Sequence, residues 1–378
     1  MDIIRQVKRL FINPAGVTFL FLVVVNLILL SSVNWDPLAL IRIGTRFSQG
    51  DPNGTEGYDG QFVYYIARDP NPATVIIHLD VPAYRYQRIL LPILARMVSF
   101  GHADVIPWAL IGLGIVSQTV GTWLVSKILI SWGINRWYAI TYGLWVGFTL
   151  AIQLGLPDSM AYGLAAGGII ATERGRSRLG WILYGLAIFT KETTILFLAA
   201  QLLSDLLRWR WRSAIGFGFV GVLPWLLFQG WLWFSFGQPG IGSGGAMATP
   251  FEVIPYMGLW RIGTYSLPLL FTWVIIFGPI VVLPSAWGIW ASIRQLIARD
   301  TDVTTMALLL NSLMIISTPF STFREPLGLL RYACGLVLAA LLFTAKNHRI
   351  RVLNILSILW LAMNAFLVKL FLPASLGS

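Results

Sequence analysis

Asp59, Arg85, Arg88, Lys191, Glu192 and Arg331 are the side chains in this sequence whose types and spacing could do chemistry. Three of them lie in one stretch, Gly57 to Pro92, which reads GYDGQFVYYIARDPNPATVIIHLDVPAYRYQRILLP and is the one long polar interval in an otherwise apolar chain. It gathers Asp59, Arg68, Asp69, Asp80, Arg85 and Arg88, and the interleaved Phe62, Val63, Tyr64, Tyr65 and Ile66 set it apart from a solvated linker. A carboxylate among cations suits displacement at a carbon bonded to a phosphate oxygen. The carboxylate takes the proton of an attacking hydroxyl, and the cations meet the charge that develops on the departing phosphate. Asp59 precedes Gly60, which lets backbone approach closely, so Asp59 is the expected base. Arg85, Arg88, Lys191 and Arg331 compete for the phosphate.

Plainer roles compete with these. Asp59 could cap a helix starting at Gln61, and Glu56, three residues earlier, could share the acid role. Arg85 and Arg88 fall on one face if helical and could contact lipid headgroups only. Lys191 and Glu192 could pair with each other or with Asp158, and Arg331 could be buried against Asp158. Arg324 and Glu325 read as an interfacial pair. His78 and His102 have no near neighbour to complete a metal site. Asp59 is followed by glycine and Asp69 stands ten residues away, so the first loop lacks an adjacent acidic pair and the sequence leans away from a divalent metal.

The elements that position these residues follow from composition. The 378 residues are 57% hydrophobic and 11% charged, with a mean hydropathy of +0.73. Soluble domains carry roughly 25% charged residues. Repeated apolar runs of about 20 residues then predict an all-α, polytopic membrane protein. The net charge of +11 has its source in Lys and Arg gathered in short cytoplasmic loops, not in a nucleic-acid surface; TrpArgTrpArg at 209–212 is a cytoplasmic anchor. The single Cys334 excludes an intrachain disulfide and a cysteine metal cluster. The first apolar run is too long for a cleaved leader and lacks a small-residue cleavage site, so it reads as an anchor.

Arg5, Lys8 and Arg9 place the N-terminus in the cytoplasm. About eleven spans follow in one integral domain, 1–378. The first covers about 15–33. A large external loop, 34–105, carries the chemistry, and its short apolar segment 89–100 lies in the interface. Further spans cover about 106–128, 138–154 and 160–171. The interval 179–207 is about 29 residues, roughly 43 Å as one helix, long for one crossing and short for two. Both its ends are basic: Arg174, Arg176 and Arg178 precede it, and Arg208, Arg210 and Arg212 follow. It therefore folds as a hairpin with Lys191 and Glu192 at the tip. The remaining spans cover about 213–236, 266–293, 304–320, 327–345 and 352–373, so that only Arg261, Arg324, Arg331 and Lys369 fall outside among the downstream cations. A second external loop, 237–265, is Gly-rich and reads as mobile.

This topology collects Asp59, Asp69, Arg85, Arg88, Asp158, Lys191, Glu192, Arg324, Glu325 and Arg331 at one face. A charge at bilayer depth costs about 2.5–3.5 kcal/mol, so each needs a partner or a task. Carboxylates and cations at one membrane face suit a substrate with an anionic head and a lipid tail, such as a polyprenyl phosphate.

The pattern TyrAspGlyGlnPheValTyrTyrIleAla, 58–67, resembles the first-loop signature of the GT-C glycosyltransferases, nearest to bacterial relatives of the GPI mannosyltransferase II family. AlaTyrArgTyrGlnArgIleLeuLeuPro, 83–92, is similar to the segment after that signature. So are PheThrLysGluThr at 189–193, Asp158 at the head of a span, and the pair Arg331, Tyr332. The resemblance implies a GT-C-like fold. It also implies inverting transfer of one sugar, a hexose such as mannose, from a polyprenyl-phosphate donor to a glycan or lipid acceptor, at the external face of a plasma or inner membrane. It implies Asp59 as the catalytic carboxylate. Tyr58, Gly60, Gln61, Tyr65, Arg68, Arg85, Arg88, Asp158, Lys191, Glu192 and Arg331 are then substrate-binding candidates. The lipid-linked sugar serves as co-substrate, with no bound cofactor and no nucleic acid. The alternative is a transporter or flippase of a lipid-linked saccharide, which would want polar residues accessible from both sides and broken helices in repeated halves.

Overall fold

The computed structural model describes residues 13–365 and 367, and among them every regular element is helical. The basic residues Arg5, Lys8 and Arg9, Lys369 and the end of the last expected span lie outside the described residues. Among the described residues, five helices are long and apolar enough to cross a membrane. They are α1 (Pro14–Ser32), α5 (Ile106–Ser131), α10 (Trp211–Phe236), α11 (Leu267–Ile297) and α13 (Pro326–Lys346). Between them stand the shorter helices α2 (Gly60–Arg68), α3 (Pro82–Tyr86), α4 (Leu90–Val98), α6 (Val146–Gln153), α7 (Asp158–Glu173), α8 (Ser177–Thr190), α9 (Ile195–Leu207) and α12 (Val303–Ile316), and α14 (Ile350–Ala362) follows the last of them.

Burial sorts these helices. The most apolar window of α13 is 83% buried, against 28% for α10 and 33% for α11. A helix apolar all round is stable in lipid or inside protein, so α13 forms the centre and α10 and α11 the apolar rim. The α11 helix starts where the Ser266 hydroxyl caps the Leu269 amide and Pro268 occupies the first turn. It widens into a π-turn at Gly278–Val282. Pro284 cannot donate to the Ile280 carbonyl, and that carbonyl instead accepts the indole N–H of Trp360, 2.9 Å away in α14.

One expected span is not continuous. The segment 138–154 divides into a short helix, Ala139–Gly143, and α6, with Trp145 in an extended conformation between them. The carbonyls released by the break are taken by side-chain amides: Gln118 Nε2 donates to Tyr142 (2.9 Å) and Asn364 Nδ2 to Leu144 (2.8 Å). Buried backbone polar groups must find partners, and these two side chains supply them from α5 and from just beyond α14.

The interval 179–207 does form a hairpin. Helices α8 and α9 meet at Lys191, whose backbone is extended. Their remote ends converge, with Ser177, Gln201 and Arg208 lining one polar cleft beside Glu173, Asp302 and Lys346. Fourteen residues make α8, about 21 Å, short of a hydrocarbon core of about 30 Å.

Candidate active site

The charged residues of segment 57–92 reach the central helices through α2 and α3. Helix α2 is buried along its length except for Arg68, and it packs on α4. Gly60 makes this fit, because a Cβ there would stand 1.9 Å from the Leu154 carbonyl oxygen at the end of α6. The close approach that the glycine permits is thus to the protein's own backbone. Gly60→Ala is expected to push α2 off α6 and to lower the thermal midpoint; an unchanged midpoint in detergent would refute this packing role.

The Asp59 side chain makes no helix-cap hydrogen bond, so capping is not its role. Its Oδ1 accepts from Arg85 Nη1 (2.9 Å) and its Oδ2 from Arg331 Nη1 (3.4 Å). Arg85 turns its other edge to Asp80 with two bonds of 2.7 and 2.8 Å, and its guanidinium lies 4.3 Å from the Phe62 ring centre. Arg331 reaches Asp158 (3.5 Å), and Asp158, fully buried, also accepts from Lys191 Nζ. Arg88 is held by Glu192 through two bonds of 2.7 and 2.6 Å. One ionic chain therefore runs Lys191, Asp158, Arg331, Asp59, Arg85, Asp80. It ties the first loop, the head of α7, the hairpin tip and α13 together, and Arg88 with Glu192 stands beside it. Bidentate pairing with planar guanidinium gives this chain fixed geometry.

These groups border a cavity of about 560 Å³ lined by Tyr58, Asp59, Arg85, Arg88, Lys191, Glu192, Arg324, Glu325 and Arg331, among others. The Tyr58 hydroxyl donates to Glu325 (2.8 Å) and accepts from Arg331 (3.2 Å). The Gly-rich loop folds across the cavity. The Ala246 amide donates to Asp80 (3.1 Å), and a Cβ at Gly245 would come within 2.8 Å of the Arg85 guanidinium. Thr249 and Ser321 bond reciprocally at 3.0 Å and fasten the loop to the segment before α13.

Burial raises the Asp59 carboxyl, but the charges of Arg85 and Arg331 outweigh it and hold Asp59 well below the usual carboxylate range. Burial likewise raises Asp80, and the Arg85 hydrogen bonds bring it below its ordinary value. Burial pushes the Tyr58 hydroxyl up, so it remains a donor.

Not every residue singled out by the sequence joins this cavity. Tyr65 is buried outside the cavity lining, stacked on His78 with ring centres 4.4 Å apart. The Arg68 side chain is exposed, and its backbone carbonyl accepts from Arg96. Asp69 bonds the Asn71 amide and the Thr74 hydroxyl and does not line the cavity. Gln61 borders the cavity, but its amide is spent on the Gly44 N–H (3.0 Å) and the Glu56 carbonyl (2.6 Å). Glu56 pairs with Arg46 at the edge. Arg324 and Glu325 do not pair with each other. Glu325 holds Tyr58, and Arg324, 5.7 Å from the Phe320 ring centre, is exposed at the cavity with no carboxylate partner among the described residues.

Tyr84, whose hydroxyl accepts from Arg88, escaped the sequence reading of the site, and that reading gives Asp80 and Arg324, both named among its charges, no role toward a substrate. Tyr84 stands four residues before Arg88, a helical spacing that could have suggested the contact. Among the described residues, Arg331 Nε is buried without an acceptor and so is the Tyr332 hydroxyl, although both side chains line the cavity. No family model, curated protein or solved structure matches the chain.

Proposed function

We propose that this protein is a membrane glycosyltransferase moving one sugar from a polyprenyl-phosphate donor to a glycan or lipid acceptor. The observation that carries this reading is Asp59 at a cavity of about 560 Å³, bracketed by Arg85 and Arg331, with Arg324 unneutralised at the same cavity. The topology proposed with it is GT-C-like, with about eleven crossings, the N-terminus in the cytoplasm and the cavity on the external face. The sugar is a hexose, with mannose favoured by the first-loop resemblance.

In the proposed step an acceptor hydroxyl attacks the anomeric carbon, the bond from that carbon to the phosphate oxygen breaks, and the configuration inverts. Asp59 receives the hydroxyl proton, and the polyprenyl phosphate leaves with the bonding electrons. The resting pairings bear on this chemistry. A carboxylate clamped by two guanidiniums is ionised but weakly basic. A donor phosphate that draws Arg331 or Arg85 toward itself loosens that clamp and raises the basicity of Asp59 as the donor binds. Arg85, Arg88, Lys191 and Arg331 each already face a carboxylate, so Arg324 is the cation best able to attract a new anion.

Arg324→Gln is therefore expected to raise the donor KM about tenfold, ~1.4 kcal/mol, with kcat little changed, the pattern of lost uniform binding. Steady-state transfer of labelled sugar in nanodiscs measures both constants. An unaltered KM would remove Arg324 from donor binding. Donor binding without transfer to any acceptor would favour the flippase reading.

A further inference from the structure

An apolar groove runs between α5, α7 and α8, with Leu90 and Leu94 of α4 and Met160 at the end nearer the charged cavity. Its volume is about 600 Å³, and its walls include Val116, Val120 and Trp123 of α5, Leu164 and Gly167 of α7, and Leu186 of α8. Val116 is 55% exposed and Val120 47%, so the groove is open at its side, not sealed inside the bundle. Gly167 keeps the floor low, since a Cβ there would already touch Leu183 and Leu124 at 3.3 and 3.5 Å. From Met160, which lines one end, to Arg174 at the other, α7 rises about 21 Å. That exceeds one leaflet of a hydrocarbon core of about 30 Å.

The two ends differ in charge. Arg174 and Arg176 line the end remote from Asp158. Glu173, their nearest acid in sequence, is held by Lys346 at 2.7 Å, and neither arginine has a carboxylate partner among the described residues. Lys127 adds a third cation, its ammonium 5.7 Å from the ring centre of Trp123 in the groove wall. Open apolar walls ending in unpaired cations fit a molecule with a hydrocarbon chain and an anionic head.

We infer that this groove is a binding site for an anionic membrane phospholipid, with an acyl chain against α5, α7 and α8 and the headgroup phosphate at Arg174, Arg176 and Lys127. The proposed glycosyl donor is a different molecule. Helix α7 has 16 residues, about 24 Å, so a phosphate at Arg174 lies far from Asp158 and from Asp59. The inference goes beyond the proposed activity and does not depend on it.

The test is native mass spectrometry of the full-length protein released from nanodiscs of equimolar phosphatidylglycerol and phosphatidylcholine. Wild type is expected to retain phosphatidylglycerol with roughly tenfold enrichment, in keeping with the attraction of basic side chains for anionic lipid. The double change Arg174→Gln, Arg176→Gln, which leaves only Lys127 at the headgroup end, is expected to cut the enrichment to about twofold or less at an unchanged thermal midpoint, because both arginines are exposed. Val120→Trp, which fills the groove from its open side, is expected to cut retention of both lipids. Equal retention by wild type would overturn the inference, as would a preference undiminished by the double arginine change. So would lipid binding indifferent to Val120→Trp, or displacement of phosphatidylglycerol by a polyprenyl phosphate.

Discussion

Asp158→Asn is expected to cost about 3–5 kcal/mol of stability, the range for removing one partner of a buried ion pair. Asp158 is fully buried and serves two cations at once, Lys191 and Arg331, whose side chains are 5% and 7% exposed. Asparagine nearly preserves the shape but supplies no charge. Lys191 then keeps no carboxylate, and Arg331 keeps only Asp59, at 3.4 Å. The hairpin tip, the head of α7 and α13 lose their common tie. A double-mutant cycle separates charge from shape: Asp158→Asn with Lys191→Met removes a charge from each side and is expected to recover a good part of the loss. Thermal unfolding in detergent ranks the three variants. A midpoint for Asp158→Asn indistinguishable from wild type would show that this pairing does not hold the hairpin.

Asp59→Asn is expected to lower transfer about 10²–10⁴-fold, the usual contribution of a positioned general base, with donor binding retained. The loss should fall on kcat and kcat/KM together, because the proton is taken only in the transition state. The pH dependence has a definite sign. An unperturbed Asp titrates near about 3.9, and Arg85 and Arg331 hold Asp59 below that value. Whatever its ionised form contributes is thus fully present above about pH 4 and is lost only as pH falls through the lower, folded-state value. Between pH 5 and 7, kcat/KM should show no acid limb from this group. A limb near pH 6 that vanishes in Asp59→Asn would contradict the clamp. Stability follows the same sign, since the pairing of Asp59 and Asp80 with Arg85 strengthens the fold at neutral pH and fades in acid.

Much of this site is legible in the sequence because charge is expensive in so apolar a chain. Asp59, Arg85, Arg88, Lys191, Glu192 and Arg331 announce themselves by type and surroundings, and they do line one cavity. The hairpin is legible for a related reason, since basic residues at both ends of 179–207 demand that the ends meet. The pairings are another matter. Asp59 meets Arg331 across 272 residues and Tyr58 meets Glu325 across 267, and no local spacing encodes such contacts. Asp69 shows the reverse error, a charge in the right loop whose neighbours Asn71 and Thr74 occupy it locally. The break at Trp145 was illegible because its cause lies elsewhere: Gln118 and Asn364 accept the cost of freed carbonyls from remote helices. The Gly-rich loop, expected to be mobile, is drawn over the cavity by Asp80 and Ser321, acceptors that its own sequence does not reveal.

Transfer of radiolabelled sugar from a panel of polyprenyl-phosphate sugars, by purified wild type and Asp59→Asn in nanodiscs with extract supplied as acceptor, tests the central claim most directly. A glycosyltransferase built on this cavity moves label from at least one donor with wild type, and the signal collapses in Asp59→Asn while donor binding persists. Donor bound by both proteins with no label transferred by either, across the whole panel, would contradict it.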